Sequence, residues 1–161
     1  MKSRINKSLT IASVQMPVSK KKTENLKIME NYLKHINRLF PNVNIVVFPE
    51  LSPTSIGSEP QDEAEKIPGS LTSVFSSWSN KYNIWLIPGS IYELSNGKIY
   101  NSTPVFSPEG SLVGVYKKRY PWSPYEKTEA GSQPFVFKVK DFGIVGIMIC
   151  YDLWFPEVAR D

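Results

Sequence analysis

The sequence has few of the residues that build metal and disulfide sites. Its 161 residues include one cysteine, Cys150, and one histidine, His35. One cysteine cannot close an internal disulfide, so we expect a free thiol in a reducing compartment, by default the cytoplasm. His35 has no second histidine or cysteine near it in the sequence, which argues against a zinc site. A cysteine–histidine protease would require His35 to approach Cys150 in space.

Long apolar runs, internal repeats and low-complexity linkers are also missing. The apolar stretch 9–16 is interrupted by polar residues and is too short for a signal peptide or a membrane span. With 41% hydrophobic residues, the chain has enough apolar side chains for one domain with a core. We therefore expect a soluble single domain with no membrane partner.

The positive charge is unevenly distributed. The formal net charge is +4, and much of the excess comes from Lys2, Arg4, Lys7 and the run 20–22. A nucleic-acid patch would normally interleave aromatic or glycine residues with its lysines, and these segments do not. A solvated loop before a helix is the better interpretation, so no nucleic-acid partner is expected.

Apolar periodicity in the first half predicts strand, helix, strand and helix in that order. Residues 8–15 and 43–48 have strand patterns. Residues 24–40 have helical spacing, with Thr23 as the N-cap, and a second helix opens at Gly69-Ser70 and extends to Tyr82.

The second half is predicted to be mainly strands. The predicted elements are a strand at 84–87, a hairpin of 100–106 and 111–116, a proline-rich loop at 117–133, and a strand pair at 134–139 and 143–149. A helix start at Pro156 follows. Two helices and a short third are few to cover about seven apolar strands, so further layers are expected from missing chain or from a partner.

Three groups with complementary chemistry follow predicted strands. Cys150 ends the apolar run 143–149, Glu50 follows Pro49 after another strand, and Lys117 and Lys118 end the hairpin. Each alone is more often structural, but strand ends in α/β folds open into ligand crevices. A thiol can attack a carbonyl, a carboxylate can carry its proton, and an ammonium can stabilise the resulting oxyanion.

The surroundings of Cys150 suggest how the thiol would be activated. A turn directly after the strand would lift the side chain out of the core, as in other nucleophile elbows. The helix start near Pro156 and a nearby lysine are expected to lower the thiol pKa.

Three blocks of the sequence resemble the signature motifs of the nitrilase, or carbon-nitrogen hydrolase, superfamily. They are 48–50 (Phe-Pro-Glu), 116–126 (Tyr-Lys-Lys-Arg-Tyr-Pro-Trp-Ser-Pro-Tyr-Glu) and 149–157 (Ile-Cys-Tyr-Asp-Leu-Trp-Phe-Pro-Glu). Supporting stretches at 12–16, 67–69, 88–90 and 100–110 resemble it too, so the likeness covers essentially the whole chain. The resemblance implies an α/β fold that forms the N-terminal part of an αββα sandwich, with a mixed sheet and helices on one side. Residues 1–161 would then be a carbon-nitrogen hydrolase domain that is incomplete at its C-terminus, after the nucleophile block.

The resemblance also implies roles for particular residues. Glu50 would be the general base, Lys118 rather than Lys117 the oxyanion-stabilising lysine, and Cys150 the nucleophile. Glu126 matches an additional glutamate of aliphatic amidases and related members, where it positions substrate or the lysine; a plain loop carboxylate is the alternative. The backbone N–H of Tyr151 would donate to the oxyanion.

The implied function is cysteine-dependent hydrolysis of a small amide or carbamoyl compound to an acid and ammonia through a thioester. No cofactor or metal is expected, and the complete domain is expected to form a homo-oligomer. A nitrile substrate is less favoured because the 121–126 block is closer to amidases. The alternative is a truncated, non-catalytic fragment that lacks the rest of the domain and associates with a fuller paralogue.

Overall fold

A computed structural model describes residues 8–161 as an α/β fold. The strands in this part of the chain are β1 (Ile11–Ser13), β2 (Ile45–Val47), β3 (Trp85–Ile87), β4 (Ile91–Ser95), β5 (Lys98–Phe106), β6 (Leu112–Lys117), β7 (Val136–Val139) and β8 (Gly143–Gly146). The helices are α1 (Lys22–Leu39), α2 (Pro60–Glu63), α3 (Ser70–Tyr82) and α4 (Pro156–Arg160), and a 3₁₀ helix spans Cys150–Trp154.

Six strands form one mixed sheet, as predicted. β1, β2 and β3 are parallel neighbours, because α1 and the α2–α3 segment provide the crossover connections that parallel strands need. β5 then pairs antiparallel with β3, with β4 and with β6. The sheet thus changes from parallel to antiparallel at β3. The C-terminal ends of β2 and β6 both lead into candidate site residues.

The two long helices cover one face of this sheet, which confirms that prediction. Their apolar stripes place Met29 and Leu33 of α1 and Phe75 of α3 in a core with Val46 and Leu86. These side chains are almost completely buried, as expected for amphipathic helices on a sheet.

The first turn of α1 differs from the prediction. The helix begins at Lys22, so Thr23 lies inside the first turn and is not the N-cap. The hydroxyl of Ser19 instead donates to Glu24 and accepts the N–H of Lys21. Of the basic segment, Lys2, Arg4 and Lys7 lie outside the described residues, and Lys22 pairs with Glu63 at 2.9 Å.

β7 and β8 form a hairpin against the opposite face of the main sheet. Phe137 and Val139 pack with Ile45, Ile87 and Val105 in a second core. The layers are therefore helices, main sheet and hairpin. The outward face of the hairpin has no covering layer in the described part of the chain, since Ile144 is 74% exposed there.

The hairpin of β4 and β5 is a feature that the sequence prediction missed. Its turn is Asn96-Gly97, with φ of 52° and 74°, which fits the two-residue turn that favours Asn-Gly. The flanking apolar alternation and the Asn-Gly pair were sufficient to find it. The short α2 was also missed, and the observed β1 and β8 are shorter than the predicted 8–15 and 143–149.

Replacing Gly97 by alanine should destabilise the fold through the turn alone. A Cβ there meets nothing within 4 Å, so the cost is that of a left-handed backbone, about 1 kcal/mol in the free energy of unfolding. Urea unfolding measures it. Gly146→Ala is the control, because a Cβ at Gly146 makes only an ordinary 3.8 Å contact and its φ is outside the left-handed region. Equal stability of Gly97→Ala and the parent chain would contradict this account of the turn.

Candidate active site

Cys150 lies at a strained turn between β8 and the 3₁₀ helix. Its φ is +43°, a left-handed conformation that non-glycine residues rarely adopt and that recurs at nucleophile elbows. The side chain is exposed to the cavity described below, in agreement with the prediction that a turn lifts the thiol out of the core.

Asp152, which is fully buried, holds this turn in place. Its Oδ2 accepts the N–H of Ile149 at 3.0 Å and the hydroxyl of Tyr116 at 2.7 Å. Its Oδ1 accepts the N–H of Tyr120 at 2.9 Å. One local hydrogen bond and two from the distant segment 116–120 offset the backbone strain and fix the elbow against the end of β6.

Lys118 is a buried ammonium between two carboxylates. Its side chain is 2% exposed, and Nζ lies 2.7 Å from Oε1 of Glu50 and 2.6 Å from Oε2 of Glu126. Burial would lower the pKa of Lys118, but the hydrogen bonds and charges of Glu126 and Glu50 outweigh it and raise the pKa. Lys117 points elsewhere: it pairs with Glu93 at 3.3 Å and lies over the ring of Tyr100.

Asn101 on β5 completes the cluster, and sequence reasoning did not assign it to the site. Its Nδ2 donates to Oε1 of Glu50 at 2.8 Å and to Oε1 of Glu126 at 2.7 Å. It is fully buried. Asparagine is disfavoured in the middle of a strand, and this was the sequence signal that marked the position.

Glu126 belongs to the cluster and is not a free loop carboxylate. Besides Lys118 and Asn101 it accepts the N–H of Trp122 and the hydroxyl of Thr128, each at 3.0 Å. Burial would raise the pKa of Glu126, but hydrogen bonds from Lys118, Asn101 and Trp122 outweigh burial and lower it. Glu126 is therefore an anion that helps to balance the buried ammonium.

The thiol pKa contradicts the prediction. The pKa of Cys150 is raised, first by partial desolvation of the thiol where it faces the cavity and then by the negative charge of Glu50, while Lys118 opposes the shift only in part. The helix α4 begins only at Pro156, after the 3₁₀ helix, and does not start at the thiol. Cys150 is thus held as a protonated thiol beside a carboxylate.

The predicted site residues meet in one cavity of about 630 Å³. Glu50, Lys118, Glu126, Cys150 and Tyr151 all line it. The remaining lining residues are Leu51, Ser58, Glu59, Pro60, Tyr92, Trp122, Tyr125, Lys127 and Trp154. Five of the fourteen lining residues are aromatic and five are charged, so the cavity combines apolar ring surface with a cluster of charges.

Other predicted or excluded features have definite places. His35 is exposed on α1, contacts the carbonyl of Asn31 and does not line the cavity, so the structure does not pair it with Cys150. Residues 8–161 contain no group of three or more histidine, cysteine or acidic side chains arranged to hold a metal ion. In the same residues no helix combines the length and apolar character required to cross a membrane.

Comparison with known families agrees with this geometry. Residues 10–161 match the family described as carbon-nitrogen hydrolase. The chain belongs to the carbon-nitrogen hydrolase family. It is 34% identical over 162 aligned residues to the omega-amidase NIT2 of Danio rerio, an alignment that covers 93% of this chain and 57% of the relative.

Solved structures of carbon-nitrogen hydrolases have the same fold. A carbon-nitrogen hydrolase of Helicobacter pylori G27 superposes with a TM-score of 0.83 at 30% identity, covering 94% of this chain and 55% of that one. Nit3 of Saccharomyces cerevisiae, a member of the nitrilase superfamily, gives 0.82 at 27% identity over 94% and 58%. The chain therefore spans somewhat more than half the length of the relatives it matches.

Removing the Asn101 amide should weaken the cluster in a pH-dependent way. Asn101→Leu leaves both carboxylates one donor short, which we expect to cost about 2 kcal/mol at neutral pH. A lowered pKa of Glu126 contributes stability above its unfolded value of 4.5, and this is lost as pH falls through the folded value. The difference between variant and parent should therefore shrink in acid, as measured by urea unfolding across pH. A difference that is independent of pH would contradict the assigned contact.

The raised pKa of Cys150 predicts slow alkylation at neutral pH. The rate of reaction with iodoacetamide follows the thiolate fraction, so its midpoint should lie at higher pH in the folded chain than in the unfolded chain. Glu50→Gln should move the midpoint down, because the negative charge that opposes ionisation of the thiol is lost. Glu109→Gln, in a turn outside the cavity, should leave it in place. A folded midpoint below the unfolded one would refute the described environment.

Proposed function

We propose that this chain carries the reacting centre of an amidase-type carbon-nitrogen hydrolase that converts a small amide or carbamoyl compound to an acid and ammonia. The observation that supports this most directly is that one carboxylate, Glu50, lies 2.7 Å from the Lys118 ammonium and lines the same cavity as the Cys150 thiol, whose pKa its charge raises. A single acid so placed can move every proton that the reaction requires. The omega-amidase relative supports an amide substrate over a nitrile.

The first step is attack of Cys150 on the amide carbonyl. Sγ forms a bond to the carbonyl carbon while its proton passes to Glu50. The thiol, whose pKa is raised, therefore loses its proton only as the carbon–sulfur bond forms. The carbonyl oxygen becomes an oxyanion. Lys118 Nζ and the backbone N–H of Tyr151 are its proposed donors.

The later steps return the enzyme to its starting state. Glu50 gives the proton to the amide nitrogen, the C–N bond breaks, ammonia leaves and a thioester remains. Water then attacks the thioester carbon as Glu50 accepts its proton, and that proton reprotonates the departing Cys150 sulfur. The sum is amide plus water giving acid plus ammonia, with no cofactor or metal.

Glu126 has a proposed positioning role. It contacts the same Lys118 ammonium as Glu50, and Asn101 and the N–H of Trp122 hold it there. It would keep the lysine charged and aimed while Glu50 cycles between its two protonation states. A homo-oligomer and a cytoplasmic location remain predictions for the complete protein.

A non-catalytic role is the second candidate. The outer face of the β7–β8 hairpin exposes Val136 and Ile144, and the chain covers 57% of its omega-amidase relative. An uncovered apolar face favours association with further chain that supplies the remaining layer. In this second role the chain would bind such a partner without hydrolysing an amide on its own.

Ammonia release from propionamide and butyramide tests the proposal. Cys150→Ala should reduce the rate by more than about a thousandfold, because no thioester can form. His35→Ala is the control and should match the parent chain, since His35 lies outside the cavity. Release that survives Cys150→Ala would refute the assigned nucleophile. A folded parent chain that releases no ammonia from any small amide would favour the non-catalytic role.

A further inference from the structure

The charges that line the cavity are unbalanced. Three carboxylates, of Glu50, Glu59 and Glu126, face two ammonium groups, of Lys118 and Lys127. The sum is −1 with the thiol protonated. Lys118 already lies 2.7 and 2.6 Å from two of the carboxylates, and its remaining N–H is the proposed oxyanion donor. Any binding of a negative substrate group within the described residues therefore depends on Lys127.

The ammonium of Lys127 is itself paired with a carboxylate. Its Nζ lies 2.8 Å from Oε2 of Glu59, and the two side chains are 66% and 47% exposed. Glu59 directly precedes α2, whereas Lys127 belongs to the loop between β6 and β7, so the pair bridges two segments of the cavity rim. A carboxylate on a substrate would have to share this lysine with Glu59, at the cost of repulsion between the two anions, or displace Glu59 from it.

Building on the proposed function, we propose that Glu59 is a specificity-determining residue. By holding Lys127, it makes the cavity select uncharged amides and disfavour amides whose acyl chain carries a carboxylate. A rim charge of the same sign as the ligand reduces both its local concentration and its affinity. The aromatic walls of Trp122, Tyr125 and Trp154 offer an uncharged acyl group apolar contact.

Paired alkylating agents test this without turnover. Iodoacetamide is neutral and iodoacetate is anionic, and both react with Cys150, the one cysteine of the chain. The measured quantity is the ratio of their rates, followed by mass spectrometry at one pH. In the parent chain this ratio should exceed that of the unfolded chain by roughly two- to fivefold.

The variants should move the ratio in opposite directions. Glu59→Gln frees Lys127 and removes a negative charge, so the ratio should fall towards the unfolded value. Lys127→Gln leaves Glu59 without its ammonium partner, so the iodoacetamide-to-iodoacetate rate ratio should rise. Glu129→Gln is the matched control, because it breaks an equally exposed pair with Lys98, 57% and 52% exposed, outside the cavity. An unchanged ratio in Glu59→Gln, or an equal change in Glu129→Gln, would overturn the assignment.

Turnover separates this inference from the proposed function. Glu59→Gln should raise kcat/KM for succinic monoamide relative to butyramide by roughly two- to fivefold. If the chain hydrolyses amides and Glu59→Gln leaves the selectivity between the two substrates unchanged, only the role of Glu59 is overturned. Absence of hydrolysis with the expected alkylation ratios would count against the proposed function while supporting the electrostatic role of the rim pair.

Discussion

The site depends on the buried ammonium of Lys118. A lone buried cation would be costly, and two carboxylates within 2.7 Å make its burial tolerable. Two carboxylates around one ammonium leave an excess negative charge, which the amide of Asn101 offsets by donating to both. The four groups come from the ends of β2 and β6, from the middle of β5, and from the loop that follows β6. The cluster therefore also fixes how those segments meet. Removing any member leaves another charge or donor without its partner.

This cluster explains why the cysteine is held as a thiol. The carboxylate of Glu50 pairs with Lys118 and lines the same cavity as Cys150, so its negative charge opposes ionisation of the sulfur. In the proposed reaction the same carboxylate accepts the thiol proton. A permanent thiolate would add another negative charge to a site that already has an excess. In the proposed reaction, proton transfer coupled to carbon–sulfur bond formation avoids that state, and the raised thiol pKa agrees with that proposal.

Local sequence signals predicted much of this arrangement. Helical periodicity placed α1 and α3, and the predicted strand ends suggested that Glu50, Cys150 and one of Lys117 and Lys118 meet. The choice of Lys118 came from the family resemblance. Asn101 was missed because its role in the site depends on contacts with residues far away in the sequence. The sign of the Cys150 pKa shift was predicted wrongly because it depends on how burial and Glu50 compare with Lys118, which spacing along the chain does not give. β4 was a local signal, Asn96-Gly97, that was overlooked.

The two halves of the site rest on supports of different strength. Glu50, Asn101 and Lys118 are carried by the six-stranded sheet, one face of which is covered by α1 and α3 and the other by the hairpin. Cys150 follows β8, which pairs only with β7 in the described residues and exposes Ile144 on its outer face. Local opening of a hairpin with one covered face costs less than opening the sheet. The position of the thiol relative to Glu50 is thus the feature of the site most sensitive to loss of hairpin packing. Asp152, which ties the elbow to Tyr116 and Tyr120, limits that movement.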